Sequence, residues 1–254
     1  MVMRHGVGAS VNIVGDVAAK LFAETPGQVI IATSRGAEVE KLASKYGVAI
    51  VRVGQSGGDS LEIDVSVGKK CHAVLSTPSA TKWYKSFKNP ATQCIQFELD
   101  EDAKLDWLPQ ENLFFKGANS NVVTKLNLTS SSSYIGWDAL MLGRNASGEK
   151  WDSGHIHLLS EIKRDGKLIW VENGNLDAQD AYLNSLPQLG NWPICATLIA
   201  MGPRCSSDLV EQFSEMMLWN DQLRAGITFL PQGILVMRAV SSDMEVAKIG
   251  RAHV

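Results

Sequence analysis

Alternation of apolar and polar residues along most of the chain predicts β-strands. From Leu61 to Val67 every second residue is apolar, with Glu62, Asp64 and Ser66 between them, which is the period of a strand that buries one face. Further strand-like segments follow at 71–76, 92–99, 122–128, 155–162, 167–172, 194–201, 227–230 and 234–240. Short strands at this spacing, separated by Gly, Asn, Asp and Pro, predict an antiparallel, mainly β body.

The first part of the chain has a different pattern. An apolar run at 29–32 is followed by apolar residues at helical spacing from Val39 to Tyr46, by Gly47 as a helix stop, and by a second apolar run at 48–53. This order predicts a short β-α-β segment. Such a segment has one apolar helix face and needs a larger sheet to pack against.

One amphipathic helix is predicted near the C-terminal end. Its apolar face would contain Leu209, Val210, Phe213, Met216, Met217 and Leu223. Asp208, followed by Glu211 three residues later, is the candidate cap at its start. We interpret the Met and aromatic residues of this stripe as core packing and not as a ligand site.

Composition and charge exclude several classes of protein. The 254 residues are 45% hydrophobic and carry 24 Lys and Arg against 27 Asp and Glu, so a buried core is expected and a nucleic-acid or anionic membrane partner is not. No apolar run approaches the roughly 20 residues that span a bilayer. The first ten residues lack the pattern of a signal peptide, and we therefore expect a cytoplasmic protein. The four cysteines form no CxxC pair and are expected to be buried thiols and not disulfides.

Motifs for chemistry are sparse. The chain contains no nucleophile elbow, Walker loop, zincin motif or dinucleotide fingerprint, so the sequence does not indicate an enzyme. His155 and His157 are two apart on a predicted strand and therefore share a face, which permits a metal ion. No third ligand lies at a fixed spacing, and a surface or interface role is the alternative.

A dense set of motifs lies between residues 75 and 154. They are Leu75 to Ser86, Leu105 to Glu111, Phe115 to Ala118, Gly136 to Asp138, Leu142 to Arg144, and Gly148–Glu149 before Gly154. In this order and spacing they closely resemble the signature of the urease accessory protein UreD family, called UreH in some organisms. The resemblance extends over about residues 57–247.

The resemblance implies a non-catalytic scaffold. Members of the family bind the urease apoprotein together with UreF and, through UreF, the GTPase UreG, and they assist nickel insertion into the urease active site. Nickel would be transferred and not retained. The family fold has two packed β-sheet layers with one or two helices, in agreement with the strand pattern.

The resemblance also implies a polar internal tunnel for nickel. A passage for a hydrated divalent cation needs oxygen ligands that hold it weakly, so carboxylates and hydroxyls suit it better than a His and Cys cage. Carried over position by position, the candidates are Asp59, Thr81, Asp138 and Glu172. For each of them, a turn cap or a hydrogen bond to a strand end is the structural alternative.

The densest motifs also supply candidates for a partner interface. Long polar and aromatic side chains make good interface anchors, and the candidates are Lys82, Tyr84, Lys85, Gln110 and Glu111. We interpret Trp83 and Trp107 as core residues between the layers.

Both ends of the chain depart from the family pattern. Residues 6–56 resemble instead the C-terminal tail of the large subunit of phosphoribosylformylglycinamidine synthase, and residues 248–254 resemble a translated sequencing adapter. We therefore expect residues 1–56 to be a foreign α/β segment, joined at Gly57-Gly58-Asp59 to a UreD-like domain, 57–247, that is truncated at both ends. The alternative functions are a fragment of this purine-biosynthesis synthase and a β-rich binding module without a metal role.

Overall fold

The computed structural model describes residues 12–13, 60–86, 89–183, 185, 188–215 and 219–251. Within these ranges the protein is mainly β, as the sequence predicts. The strands are β1 (Asn12–Ile13), β2 (Ser60–Val67), β3 (His72–Leu75), β4 (Thr81–Trp83), β5 (Ala91–Leu99), β6 (Lys104–Trp107), β7 (Asn112–Phe114), β8 (Ala118–Leu128), β9 (Ser133–Leu142), β10 (Gly154–Arg164), β11 (Lys167–Asp177), β12 (Ile194–Met201), β13 (Leu223–Leu230) and β14 (Ile234–Ser241). Two α-helices, α1 (Asp208–Ser214) and α2 (Met244–Arg251), and a short 3-10 helix (Asn145–Ser147) complete the described elements.

The predicted β-α-β segment, from 29 to 53, lies outside the described residues, as does Asp59. The backbone of β1, which precedes that segment, pairs parallel with β2, with Asn12 in register with Asp64. The segment and its proposed junction at residue 57 therefore stay predictions.

The strands form two sheets. The first sheet has six strands in the order β1-β2-β5-β8-β10-β11. The second has eight strands: six follow the order β13-β14-β12-β9-β6-β3, while β7 pairs with β9 and β4 pairs with β7. Between β2 and β10 the chain crosses repeatedly from one sheet to the other, so consecutive strands of the first sheet are separated in sequence by one or two strands of the second.

The predicted antiparallel arrangement is wrong for this part of the molecule. β2, β5, β8 and β10 run parallel to one another, and so do β3, β6 and β9. Successive strands of the first sheet run in the same direction. The one or two strands between them lie in the second sheet and serve as the crossover connection that parallel strands need, in place of a helix. Among the described strands, antiparallel pairing is confined to β10–β11 and to the group β9, β12, β14 and β13. Period-2 alternation is the same in both arrangements, so the pattern does not discriminate between them.

The core lies partly between the two sheets and partly on the outer face of the second sheet. Apolar side chains from both sheets meet between them, in a cluster around Phe97 and Leu105 and in another around Phe114 and Ile156. A third cluster covers the outer face of the second sheet, where Trp137 packs with residues of both α-helices. The second sheet is therefore buried on both faces. Trp83 and Trp107 are buried, which confirms their interpretation as core.

The C-terminal helices differ from the prediction. α1 has seven residues, and Leu223, which the pattern assigned to its apolar face, instead begins β13. Asp208 is the first helical residue and not the cap, since Ser207 occupies the cap position without a side-chain hydrogen bond to the backbone. Leu209, Val210 and Phe213 do pack onto the third cluster, so the core interpretation of the stripe holds for them. All four cysteines are free thiols, as predicted, but the prediction that they are buried is wrong for Cys71, which is exposed, and the other three are only partly buried.

Candidate functional site

A polar row interrupts the inner face of the first sheet. Thr124 of β8 is in register with Ser160 of β10, which is in register with Glu172 of β11. Two residues further along the first two strands, the inward positions are Leu126 and Ile162, which belong to the apolar core. The polar row is therefore a local departure from otherwise apolar inner positions.

A second polar row crosses the inner face of the second sheet. Asp138 of β9 is in register with Thr197 of β12, and Thr197 is in register with Arg238 of β14. The two rows are joined by an ion pair, in which Nη2 of Arg238 donates to Oε1 of Glu172 at 2.7 Å. We call these six residues the polar band: Thr124, Ser160, Glu172, Asp138, Thr197 and Arg238.

The polar band lines a cavity of about 1080 Å³ between the two sheets. Short or absent side chains create this space, because two packed sheets about 10 Å apart need large side chains from both faces to fill the gap. Gly174 and Gly226 lie on its wall beside the threonines and the serine. A Cβ atom at Gly226 would meet no other group within 4 Å. The opening is therefore built by small residues on several strands.

The Gly136-Trp137-Asp138 motif positions the first carboxylate of the cavity. A Cβ atom at Gly136 would overlap the ring of Tyr134, so glycine is required for this ring to lie across the strand. Trp137 points to the opposite face and is buried in the outer cluster. Because neighbouring strand residues face opposite sides, anchoring Trp137 outward directs Asp138 inward.

Two buried side chains hold Asp138 in place. Nδ2 of Asn112 donates to Oδ1 of Asp138 at 2.9 Å, and Nε1 of Trp83 donates to Oδ1 of Asn112 at 3.0 Å. Asn112 is buried and lies on β7, in register with Thr81 of β4. The Thr81–Trp83 motif and the Gly136–Asp138 motif are thus joined through Asn112.

Burial controls the protonation of the groups around this carboxylate. It raises the pKa of Asp138 to about 6, and the negative charge of Glu172 adds to the rise, whereas hydrogen bonds from Asn112 and from the Ala139 N–H oppose it. Burial and the charge of Asp138 also raise the pKa of the Cys195 thiol to about 12 and that of the Tyr134 hydroxyl above its ordinary value. At neutral pH the cavity therefore presents carboxylates, hydroxyls and a protonated thiol.

The structure brings three of the four tunnel candidates to this one cavity. Thr81, Asp138 and Glu172 all lie on its wall, and Asp59 lies outside the described residues. Sequence reasoning did not identify the other members of the polar band. One of them, Arg238, could have been identified from the sequence. In the run 234–240, it is a charged residue at a position where the period of the strand otherwise places the apolar Ile234, Val236 and Val240.

The five interface candidates lie in different environments. Lys82, Tyr84 and Lys85 are exposed, and the ring of Tyr84 packs edge-on against Phe115 at 4.8 Å between centroids. Gln110 lies on the cavity wall. Glu111 pairs with Lys248 of α2, 3.1 Å from its ammonium nitrogen.

The two histidine candidates lie apart from the cavity wall. His155 and His157 share the outer face of β10, because Ile156 between them is buried in the core. His157 forms a hydrogen bond with Asn173 at 2.9 Å. Among the described residues, no three His, Cys, Asp or Glu side chains are grouped to hold a metal ion. The role of this histidine pair stays a prediction.

Neither helix in the described part of the chain has the length and apolar character that a bilayer crossing requires.

Comparison with known proteins identifies relatives along most of the chain. The family described as "UreD urease accessory protein" matches residues 53–253. The urease accessory protein UreD of Polynucleobacter asymbioticus is 71% identical over 195 residues, covering 77% of this chain and 67% of that protein. The UreD protein of Cupriavidus metallidurans is 39% identical over 202 residues (77% and 69%), and that of Ralstonia nicotianae is 35% identical over 243 residues (89% and 82%). The chain therefore belongs to the UreD family, whose members are urease accessory proteins and not enzymes.

Proposed function

We propose that this urease accessory protein carries nickel through the cavity between its sheets, in a cytoplasmic complex with UreF, UreG and the urease apoprotein. The observation that supports the proposal is the polar band. Apolar residues at these six inward positions would pack the two sheets more tightly, and the partly exposed Arg238–Glu172 pair contributes little free energy in their place. A role in handling a polar cargo accounts for the six positions together.

The size and chemistry of the cavity suit a hydrated divalent cation. One water occupies about 30 Å³ of liquid, so about 1080 Å³ accommodates an ion with its water shell. Asp138 and Glu172 supply negative charge, and Thr81 supplies a hydroxyl. Nickel binds tightly to imidazole and thiolate ligands. Because Cys195 keeps its proton, the wall offers mainly oxygen ligands, from which the ion can leave.

The carboxylates provide the test. The chain is co-expressed with UreF, UreG and the urease apoprotein, and the nickel content and activity of the purified urease are measured for Asp138→Asn and Glu172→Gln. We expect both to fall in each variant, while the amount of UreF and urease recovered with the chain stays the same. Glu62→Gln removes an exposed carboxylate from β2 and serves as the control. Undiminished nickel loading in the Asp138→Asn, Glu172→Gln double variant would leave a binding module without a metal role.

The exposed residues of the signature are proposed to contact a protein partner. Tyr84 is 49% exposed although it lies beside the buried Trp83, and Lys82 and Lys85 flank it. An exposed aromatic side chain next to long polar ones is typical of an interface anchor. We expect Tyr84→Ala to reduce the recovery of UreF or urease with the chain. Tyr182→Ala removes another tyrosine, which is 74% exposed, and should have no effect.

A further inference from the structure

Arg238 is an unexpected side chain for a cation passage. It lies on the cavity wall and places a positive charge beside Glu172, one of the proposed oxygen ligands. A fixed positive charge repels an incoming cation, and it also occupies the carboxylate that the cation needs. A passage selected only for cation affinity would have a neutral residue at this position.

The second arginine of the wall is engaged differently. Arg224 lies against the ring of Trp192, at 5.3 Å from its centroid, and against that of Trp219, at 5.7 Å. Its positive charge faces aromatic rings, whereas Arg238 donates directly to a carboxylate. The two arginines therefore do not have equivalent roles.

The Arg238–Glu172 pair is exposed enough to open. The side chains are 54% and 33% exposed, respectively. An ion pair with this exposure is worth little net free energy, because water solvates both partners when they separate. Gly226, in register with Arg238 on β13, leaves open space beside it. The guanidinium can thus move away from Glu172 without disturbing the sheets.

We propose that the guanidinium of Arg238 acts as a built-in counter-ion of Glu172. It pairs with this carboxylate when the cavity holds no metal ion, and it competes with an incoming divalent cation for it. The inference rests on the proposed function and adds a role for a residue outside the four tunnel candidates. Competition lowers the affinity of the cavity for its cargo, so the ion leaves readily. It also favours divalent over monovalent ions, because a doubly charged ion displaces a guanidinium from a carboxylate more effectively than Na⁺ or K⁺ does.

Nickel binding to the purified full chain tests this competition. Equilibrium dialysis against Ni²⁺ compares the wild type with Arg238→Gln and Arg238→Met, either of which removes the charge, and with Arg238→Lys, which keeps it. We expect Arg238→Gln and Arg238→Met to bind Ni²⁺ about tenfold more tightly, and Arg238→Lys to bind like the wild type. Adding Glu172→Gln to Arg238→Gln should abolish the gain. Thermal unfolding verifies that each variant is folded.

A matched control separates local competition from net charge. Arg164→Gln removes one positive charge outside the cavity wall, where Nη1 of Arg164 donates to the Gln232 carbonyl oxygen at 2.7 Å. An equal gain in this control, or equal affinity of the neutral Arg238 variants and the wild type up to millimolar Ni²⁺, would overturn the inference. The proposed function fails separately, in the urease nickel content of the Asp138→Asn and Glu172→Gln variants. Equal dialysis affinities together with lost nickel loading would remove the role of Arg238 and leave the passage.

Discussion

Along the strands, the space between the two sheets changes from closed, in the cluster around Phe97 and Leu105, to open, at the polar band; we call these two regions the closed half and the open half. The cluster around Phe114 and Ile156 lies beyond the open half. The closed half is filled by Val67, Phe97, Leu99, Leu105 and Leu128, all buried. The open half is lined by the polar band and holds the cavity. The same strands run through both halves: on β8, Thr124 borders the cavity and Leu128 the closed core. A difference of four residues along one strand thus separates structural packing from the candidate site.

The difference between the two halves means that this fold does not need close packing everywhere. Aromatic rings join the sheets where the closed half borders the cavity: Phe97 lies 5.5 Å from Trp107 and 6.1 Å from Tyr134 between centroids, and both of these partners also line the cavity. In the open half, the Arg238–Glu172 ion pair joins the sheets, and the hydrogen bonds around Asn112 link β4, β7 and β9 within the second sheet. Stability should therefore depend mainly on the closed half, and function on the open half.

The largest expected effect is in the closed half. Phe97 is fully buried, and Phe97→Ala should lower the free energy of unfolding by about 3–5 kcal/mol through lost burial and the cavity left behind. Thr124→Ala, on the cavity wall, should cost less than about 1 kcal/mol. Urea denaturation measures both variants. Similar losses would show that the open half is as tightly packed as the closed half.

The hydrogen bonds of Asn112 should give the next effect. Asn112→Ala leaves the Trp83 N–H and the Asp138 carboxylate without this buried partner, at a cost of about 1–3 kcal/mol. The variant should also raise the pKa of Asp138 further, because the hydrogen bond that Asn112 donates stabilises the ionised carboxylate and would be lost. Asn173→Ala, at the exposed bond to His157, is the control. A control that loses as much stability would contradict the special position of Asn112.

The charge of Asp138 should make stability depend on pH. Its folded-state pKa of about 6 exceeds the ordinary value of 3.8, so the folded state binds the proton more tightly, and its contribution to stability falls as pH rises from about 4 to 6. Asp138→Asn should therefore be more stable than the wild type at pH 7, by up to about 2 kcal/mol. Thermal unfolding between pH 4 and 8 measures the difference. A difference that does not change with pH would mean that Asp138 titrates normally.

The ion pair of the polar band should contribute least to stability. Because Glu172 and Arg238 are partly exposed, a double-mutant cycle with Glu172→Gln and Arg238→Gln should give a coupling free energy below about 1 kcal/mol. The coupling should weaken further as salt is added. A coupling above about 2 kcal/mol would instead make the pair a structural element, and would conflict with its proposed opening.

Sequence pattern was sufficient for strands that bury one face or lie between clear turns. The strand Ile194–Met201 was predicted with the bounds that the structure has. Ser133–Leu142 was missed because both of its faces are buried, inside by the sheets and outside by the helices, so polar residues do not alternate regularly along it. Thr81–Trp83 and Asn112–Phe114, with three residues each, are too short to show a period.

Sequence by itself determined which strand residues face inward, and the spacing of its motifs indicated the family. Both properties are local, since side-chain direction follows the two-residue period of the strand. Tertiary structure alone decided that the strands from β2 to β10 run parallel, and that Glu172 meets Arg238, 66 residues away. Strand order and register arise from packing between segments distant in sequence, so the polar residues of single strands became one band only when the two sheets closed on each other.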